Sequence, residues 1–146
     1  MEISRRTDYG VRVILELASL GASKRASTQE IAERQDIPAP FLAKIISQLS
    51  LTGLVSTYRG AGGGVQLARP AVEISLLEVI EALEGPIHLN QCVIEPSRCP
   101  HDGTCPVHDV WAELQAHLTT ELGDTTFDQL VLAARQKTQD GTPPPA

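Results

Sequence analysis

"STYRGAGGGVQL", residues 56–67, places four glycines among the five positions that follow Arg59, between two short β-prone runs. Glycine-rich runs cradle phosphate, which can belong to a nucleotide or to a nucleic-acid backbone. A nucleotide loop needs a lysine and a Ser/Thr that close the glycines and open a helix, so that amides, ammonium and helix dipole converge. Here Gly64 runs into Val65, Gln66 and Leu67, which alternate like a strand, and no lysine lies between Lys44 and Lys137. "LVSTY" and "VQLAR" therefore read as two strands of a hairpin, with Arg59 at its tip. Glycines there turn the chain tightly and leave backbone thin enough to approach a sugar-phosphate rail.

What precedes the hairpin decides its use. "DYGVRVILELASL", residues 8–20, spaces Val11, Ile14, Leu15 and Ala18 as one helical face and ends near Gly21. Ser27 stands three before Glu30, the capping-box spacing, and opens a short helix through "TQEIAERQ" that Asp36-Ile37-Pro38 breaks. Pro40 suits the first turn of a third helix whose Phe41, Leu42, Ile45, Ile46 and Leu49 are apolar. Three helices with a tight turn before the third, then a hairpin, form a winged helix-turn-helix. A flexible turn with a solvated arginine is the competing reading of the hairpin alone, and the helices before it favour the wing.

The third helix is expected to enter a major groove at its N-terminal end, where Ala39, Phe41 and Lys44 lie, while Phe41 and Leu42 could equally be core. Thr28, Gln29, Arg5 and Arg6 are candidates for phosphates, and Arg59 with Gly60 and Gly62 for a minor groove, where A-T tracts concentrate negative potential. The net charge of −6 conceals the split that makes this reasonable: residues 1–70 carry +3 and residues 71–146 carry −9. A polyanion meets the local field.

Ser75 and Glu78 repeat the capping-box spacing and open the helix "SLLEVIEALEG", which stops at Gly85-Pro86. From Val107 an apolar stripe recurs at Trp111, Leu114, Leu118 and Leu122, a helix of about four turns that suits either its own domain or a dimer seam. "TTFDQLVLAA" reads as a short closing helix and the remainder as a disordered tail. The expected division is a winged helix-turn-helix DNA-binding domain (1–70), a cysteine loop with the long helix that is the candidate for dimerisation (71–134) and a tail (135–146). The fold class is mainly α with a small β-hairpin wing and a long C-terminal helix. Aromatic residues are only 3% of the chain, so the core must be aliphatic.

No run approaches the roughly 18 apolar residues of a membrane span and the first residues lack a signal-peptide core, so the expected location is the cytoplasm. Thiols stay reduced there, which makes the crowded Cys92, Cys99 and Cys105 candidate ligands or nucleophiles. His108 follows Cys105 by three residues, one helical turn, so both can face one metal centre. No CxxC pair of the kind common in structural zinc sites is present, and wider gaps suit a loop around a larger cluster. Zinc and free thiols stay open as alternatives; His101 and His88 are lesser candidates. No protease or oxidoreductase signature surrounds the cysteines, so an enzyme is not expected, nor a small-molecule substrate.

The combination of "TDYGVR" in the first helix, "FLAKIISQLSLTGLV" in the third, "RGAGGGVQLARP" in the wing and three spaced cysteines before a long helix resembles the IscR/NsrR family of bacterial transcriptional regulators. The resemblance extends to about Ala134. It implies a homodimer with crossed long helices on double-stranded, palindromic operator DNA, minor-groove insertion by Arg59, and repression or activation governed by an iron-sulphur cluster at Cys92, Cys99 and Cys105. His108 matches the histidine that completes a 2Fe-2S site, the first choice here. Asp8 matches an aspartate that ligates a 4Fe-4S cluster across the dimer. The chain departs from the IscR type at Pro38, Pro40 and Ala43, and in a first cysteine gap one residue longer. A zinc-stabilised winged-helix protein without sensing is the alternative function.

Overall fold

A computed structural model describes residues 2–101 and 103–141 of the chain. Helix α1 spans Arg5–Leu20, three residues earlier than its apolar periodicity suggests, because Ser4 caps it by accepting from the Thr7 amide. Helix α2 spans Thr28–Gln35, and Ser27 and Glu30 form the reciprocal capping box. Asp36 turns the chain in the left-handed region at φ 53°, and α3 follows over Ala39–Leu51 with Pro40 in its first turn. Strands β1 (Val55–Tyr58) and β2 (Gly64–Leu67) pair antiparallel, Val55 facing Leu67 and Tyr58 facing Gly64.

Beyond the wing, a single 3-10 turn at Ala71–Glu73 leads into α4, Leu76–Glu84. The expected second capping box is only half formed: Ser75 Oγ accepts from the Glu78 amide, but the Glu78 carboxylate pairs instead with Arg69. After α4 come α5, Gln91–Ile94, and a 3-10 turn at Pro96–Arg98. Helix α6 covers Pro106–Asp124 and α7 Phe127–Gln139. The tail expected from residue 135 is therefore helical as far as Gln139; its polar residues continue a helix already anchored by a capping box at Thr126 and by buried Phe127 and Val131. Residues 142–146 of that tail lie outside the described residues.

The core does not respect a cut after Pro70. Aliphatic side chains from α1, α2, α3 and the wing, Val13, Ile14, Leu17, Ile31, Ile45 and Leu49 among them, form one buried cluster with Ile74, Val79, Leu83 and Phe127. Backbone bonds explain why: the Leu76 amide donates to Thr125 O at 2.8 Å and the Phe127 amide to Ile74 O at 3.0 Å, stitching the start of α4 to the start of α7. Helix α7 then lies against α1, and α4 packs against α1, α3 and α6. Among the described residues, no helix is long and apolar enough to cross a membrane.

Candidate DNA interface and cysteine cavity

The wing is locked to the helix-turn-helix. Ala26, just before α2, bridges Val65 through two backbone bonds of 3.0 and 2.8 Å, adding a third short strand-like contact beside β2. Arg25 supports the hairpin from outside. Its guanidinium stacks 3.5 Å from the Tyr58 ring centroid and donates to Gly62 O at 3.0 Å and to Gln66 Oε1 at 3.2 Å. Sequence reasoning missed Arg25, and no local signal marks it, because Tyr58, Gly62 and Gln66 lie far from it along the chain.

The glycines have two separate causes. A Cβ on Gly63 would stand 2.5 Å from Tyr58 O, and one on Gly64 2.6 Å from Ala26 O, so both are required by the protein's own backbone. Gly60 and Gly62 sit at φ 83° and 75° with open space around them, and these two leave thin backbone exposed beside Arg59. The idea that all four glycines serve an approaching rail is thus corrected to two of them. Arg59 is fully on the surface of the turn.

On α3, Leu42 is core at 1% exposure while Phe41 is 56% exposed, which separates two residues the sequence left equivalent. Ala39 and Lys44 are exposed, as are Thr28, Gln29 and Arg5. Arg6 differs: it donates to Leu83 O at 2.9 Å and to Gln48 Oε1, so its guanidinium is engaged by α3 and α4. Arg6 thus ties α1 to α3 and α4 through Nη2 while remaining exposed.

The three cysteines arrive on three different local structures. Cys92 lies in α5, whose first amide, that of Gln91, is capped by Asn90 Oδ1; Cys99 ends the 3-10 turn, its amide donating to Pro96 O at 3.0 Å; Cys105 is the N-cap of α6. His108 follows in the first turn of α6. Together with Glu95, Arg98, His101 and Trp111, these four line one cavity of about 400 Å³. Gln115 pins the loop to α6, donating to Ile87 O at 2.6 Å and accepting from the Leu89 amide at 2.9 Å.

All three thiols are free and half-buried. Among the described residues, no three His, Cys, Asp or Glu side chains converge where a single metal ion could sit. Thiolate and imidazole are donors of the kind that hold zinc or an iron-sulphur cluster. His88 is outside this cavity, exposed, with Nδ1 3.3 Å from Pro86 O. Asp8 is also outside it, on α1, paired with Arg12 at 2.8 Å.

Comparison with known proteins agrees with this architecture. The family model described as Rrf2, iron-dependent transcriptional regulator, matches residues 3–133. An HTH-type transcriptional regulator of Mycobacterium tuberculosis is 35% identical over 128 residues, covering 87% of this chain and 79% of its relative. The solved structure of CymR, the global cysteine regulator of B. subtilis, superposes with a TM-score of 0.80 at 26% identity, over 91% of this chain and 98% of that one. IscR of T. potens does so with a TM-score of 0.74 at 28% identity, over 92% and 88%. This chain belongs to the Rrf2 family of winged-helix, DNA-binding transcriptional regulators and is not an enzyme.

Proposed function

We propose that the protein is a cytoplasmic, homodimeric regulator whose operator affinity follows the state of an iron-sulphur cluster held by Cys92, Cys99 and Cys105. The observation that carries this reading is the single cavity onto which all three cysteines and His108 open. His108 is the fourth ligand in the 2Fe-2S form; in a 4Fe-4S form the fourth ligand is Asp8 from a second copy, since Asp8 lies away from the cavity of its own chain. The cluster, when bound, supplies a charge centre that oxidation or nitric oxide can alter or remove. The likeness to CymR as well as IscR keeps a cluster-free regulator as the competing reading.

The residues around the cavity provide a physical route to the DNA-reading elements. Cys92 and the segment before it hang from the C-terminus of α4, and Gln115 ties that segment to α6. The last carbonyls of α4 are held from the other side: Gln48 of α3 donates to Ala82 O at 2.9 Å, and Arg6 of α1 to Leu83 O. A change in the ligand loop therefore bears on α3 through α4. The exposed Val107, Val110 and Leu114 of α6 supply the apolar seam for a second copy. Two such heads meet a palindromic operator.

Anaerobic purification tests the cluster. The expected product is coloured and contains iron with acid-labile sulphide, and Ala replacement of any one cysteine removes the metal. Colourless protein with one zinc per chain establishes the zinc reading; metal-free protein that binds DNA and takes up no cluster from iron and sulphide under anaerobic conditions establishes the cluster-free one. His108→Ala and Asp8→Ala are expected to change the visible spectrum unequally, which assigns the fourth ligand.

A further inference from the structure

The side chains that α3 offers to a major groove are unusual in chemistry. Bidentate recognition of guanine or adenine requires a forked or amide side chain. Gln48 is the one amide side chain of α3, and the helix has no arginine, asparagine or carboxylate. Both ends of Gln48 are engaged within the fold: its amide nitrogen donates to Ala82 O and its oxygen accepts from Arg6. Pro40 has no N–H, and the exposed surface of the helix around it consists of Ala39, Phe41 and Ala43, with Lys44 and Ser47 as its polar members.

We infer that α3 reads thymine by its C5-methyl group, through apolar contact with Pro40, Phe41 and Ala43, and that Lys44 adds a single hydrogen bond to a purine edge. This rests on α3 being the reading helix of the fold. Methyl groups stand only in the major groove and only on thymine, so a small apolar surface can distinguish base pairs that it could not read by hydrogen bonding. Ala39 and Ala43 matter because their short side chains let the helix approach closely. The charge of the wing supplies affinity at the flanks, and the methyl contacts supply the sequence.

The test uses the full-length chain, both as purified anaerobically and after metal removal, to select duplexes from a random pool. The selected duplex is then made with uracil replacing thymine, either in the half-sites or in the flanks. Loss of one buried methyl costs about fourfold in affinity, and a symmetric pair about fifteenfold. That loss is expected for half-site uracil and not for flank uracil, which alters nothing a minor-groove arginine meets. Equal binding of half-site uracil and thymine duplexes overturns the inference, as does a pool that yields no preferred sequence. Ala43→Arg separates the underlying reading: it is expected to change the selected half-site, and an unchanged selection shows that α3 does not read bases at all.

Discussion

Helices α1 and α6 are of similar length, 16 and 19 residues, yet α1 buries five residues and α6 buries none. Helix α1 is held by packing from α2, α3, α4 and α7, so the DNA-reading elements share one core with helices from the second half of the chain. Helix α6 and the ligand loop make few apolar contacts and rely on pins such as Gln115. The contrast is thus between the elements that share the buried core, α4 and α7 included, and the ligand loop with α6, which contribute no buried residue to it. A segment with few buried contacts opens locally more readily than the core.

Five substitutions probe this contrast, from the largest effect to the smallest. Phe127 is fully buried, and Phe127→Ala is expected to cost about 3–5 kcal/mol in denaturant unfolding. Leu114→Glu, on the 49%-exposed site in α6, should leave monomer stability nearly intact and shift sedimentation towards monomer. Similar losses of stability at both positions would erase the distinction between the two regions. Arg59→Ala should weaken operator binding by about 1–3 kcal/mol, most at A-T-rich flanks, as read by titration. Unchanged affinity would remove the wing from DNA recognition.

Gln48→Met keeps the length of the side chain but removes its bonds to Ala82 O and Arg6. The expected outcome is a smaller difference in DNA affinity between metal-loaded and stripped protein, with a stability cost of about 1 kcal/mol. A full-sized difference would show that the route from loop to α3 bypasses α4. Glu84 should give the smallest change. Its carboxyl is held below the ordinary range by hydrogen bonds from Ser4, whose amide donates to Oε1 at 2.8 Å. Because the folded-state pKa is depressed, the contribution exists at neutral pH and is lost as pH falls through that value. Glu84→Gln should therefore lower the melting temperature slightly at neutral pH, and the gap should close on acidification.

The clustering of the cysteines was legible in residue types. Spaced thiols have few uses in a reducing setting, and Cys92, Cys99, Cys105 and His108 do line one cavity. The capping box at Ser27 and the break at Pro38 placed α2 and α3 because these are local backbone effects. The structural bonds of Arg6 were not legible for the opposite reason: nothing local reveals that α3 and α4 bring Gln48 and Leu83 to its guanidinium. The polar end of α7 was misread because composition cannot register a helix anchored from Phe127.

In the wing, sequence alone determined the hairpin and the exclusion of a nucleotide loop, because alternation and the missing lysine are properties of neighbouring residues. Only the tertiary structure decided that Gly63 and Gly64 answer to the backbone of Tyr58 and Ala26, and that Arg25 braces the turn. It alone also decided that α4 and α7 share the core of the DNA-reading half. Side-chain chemistry and local periodicity are written along the chain, whereas close approaches between residues far apart in sequence arise only when packing brings them together.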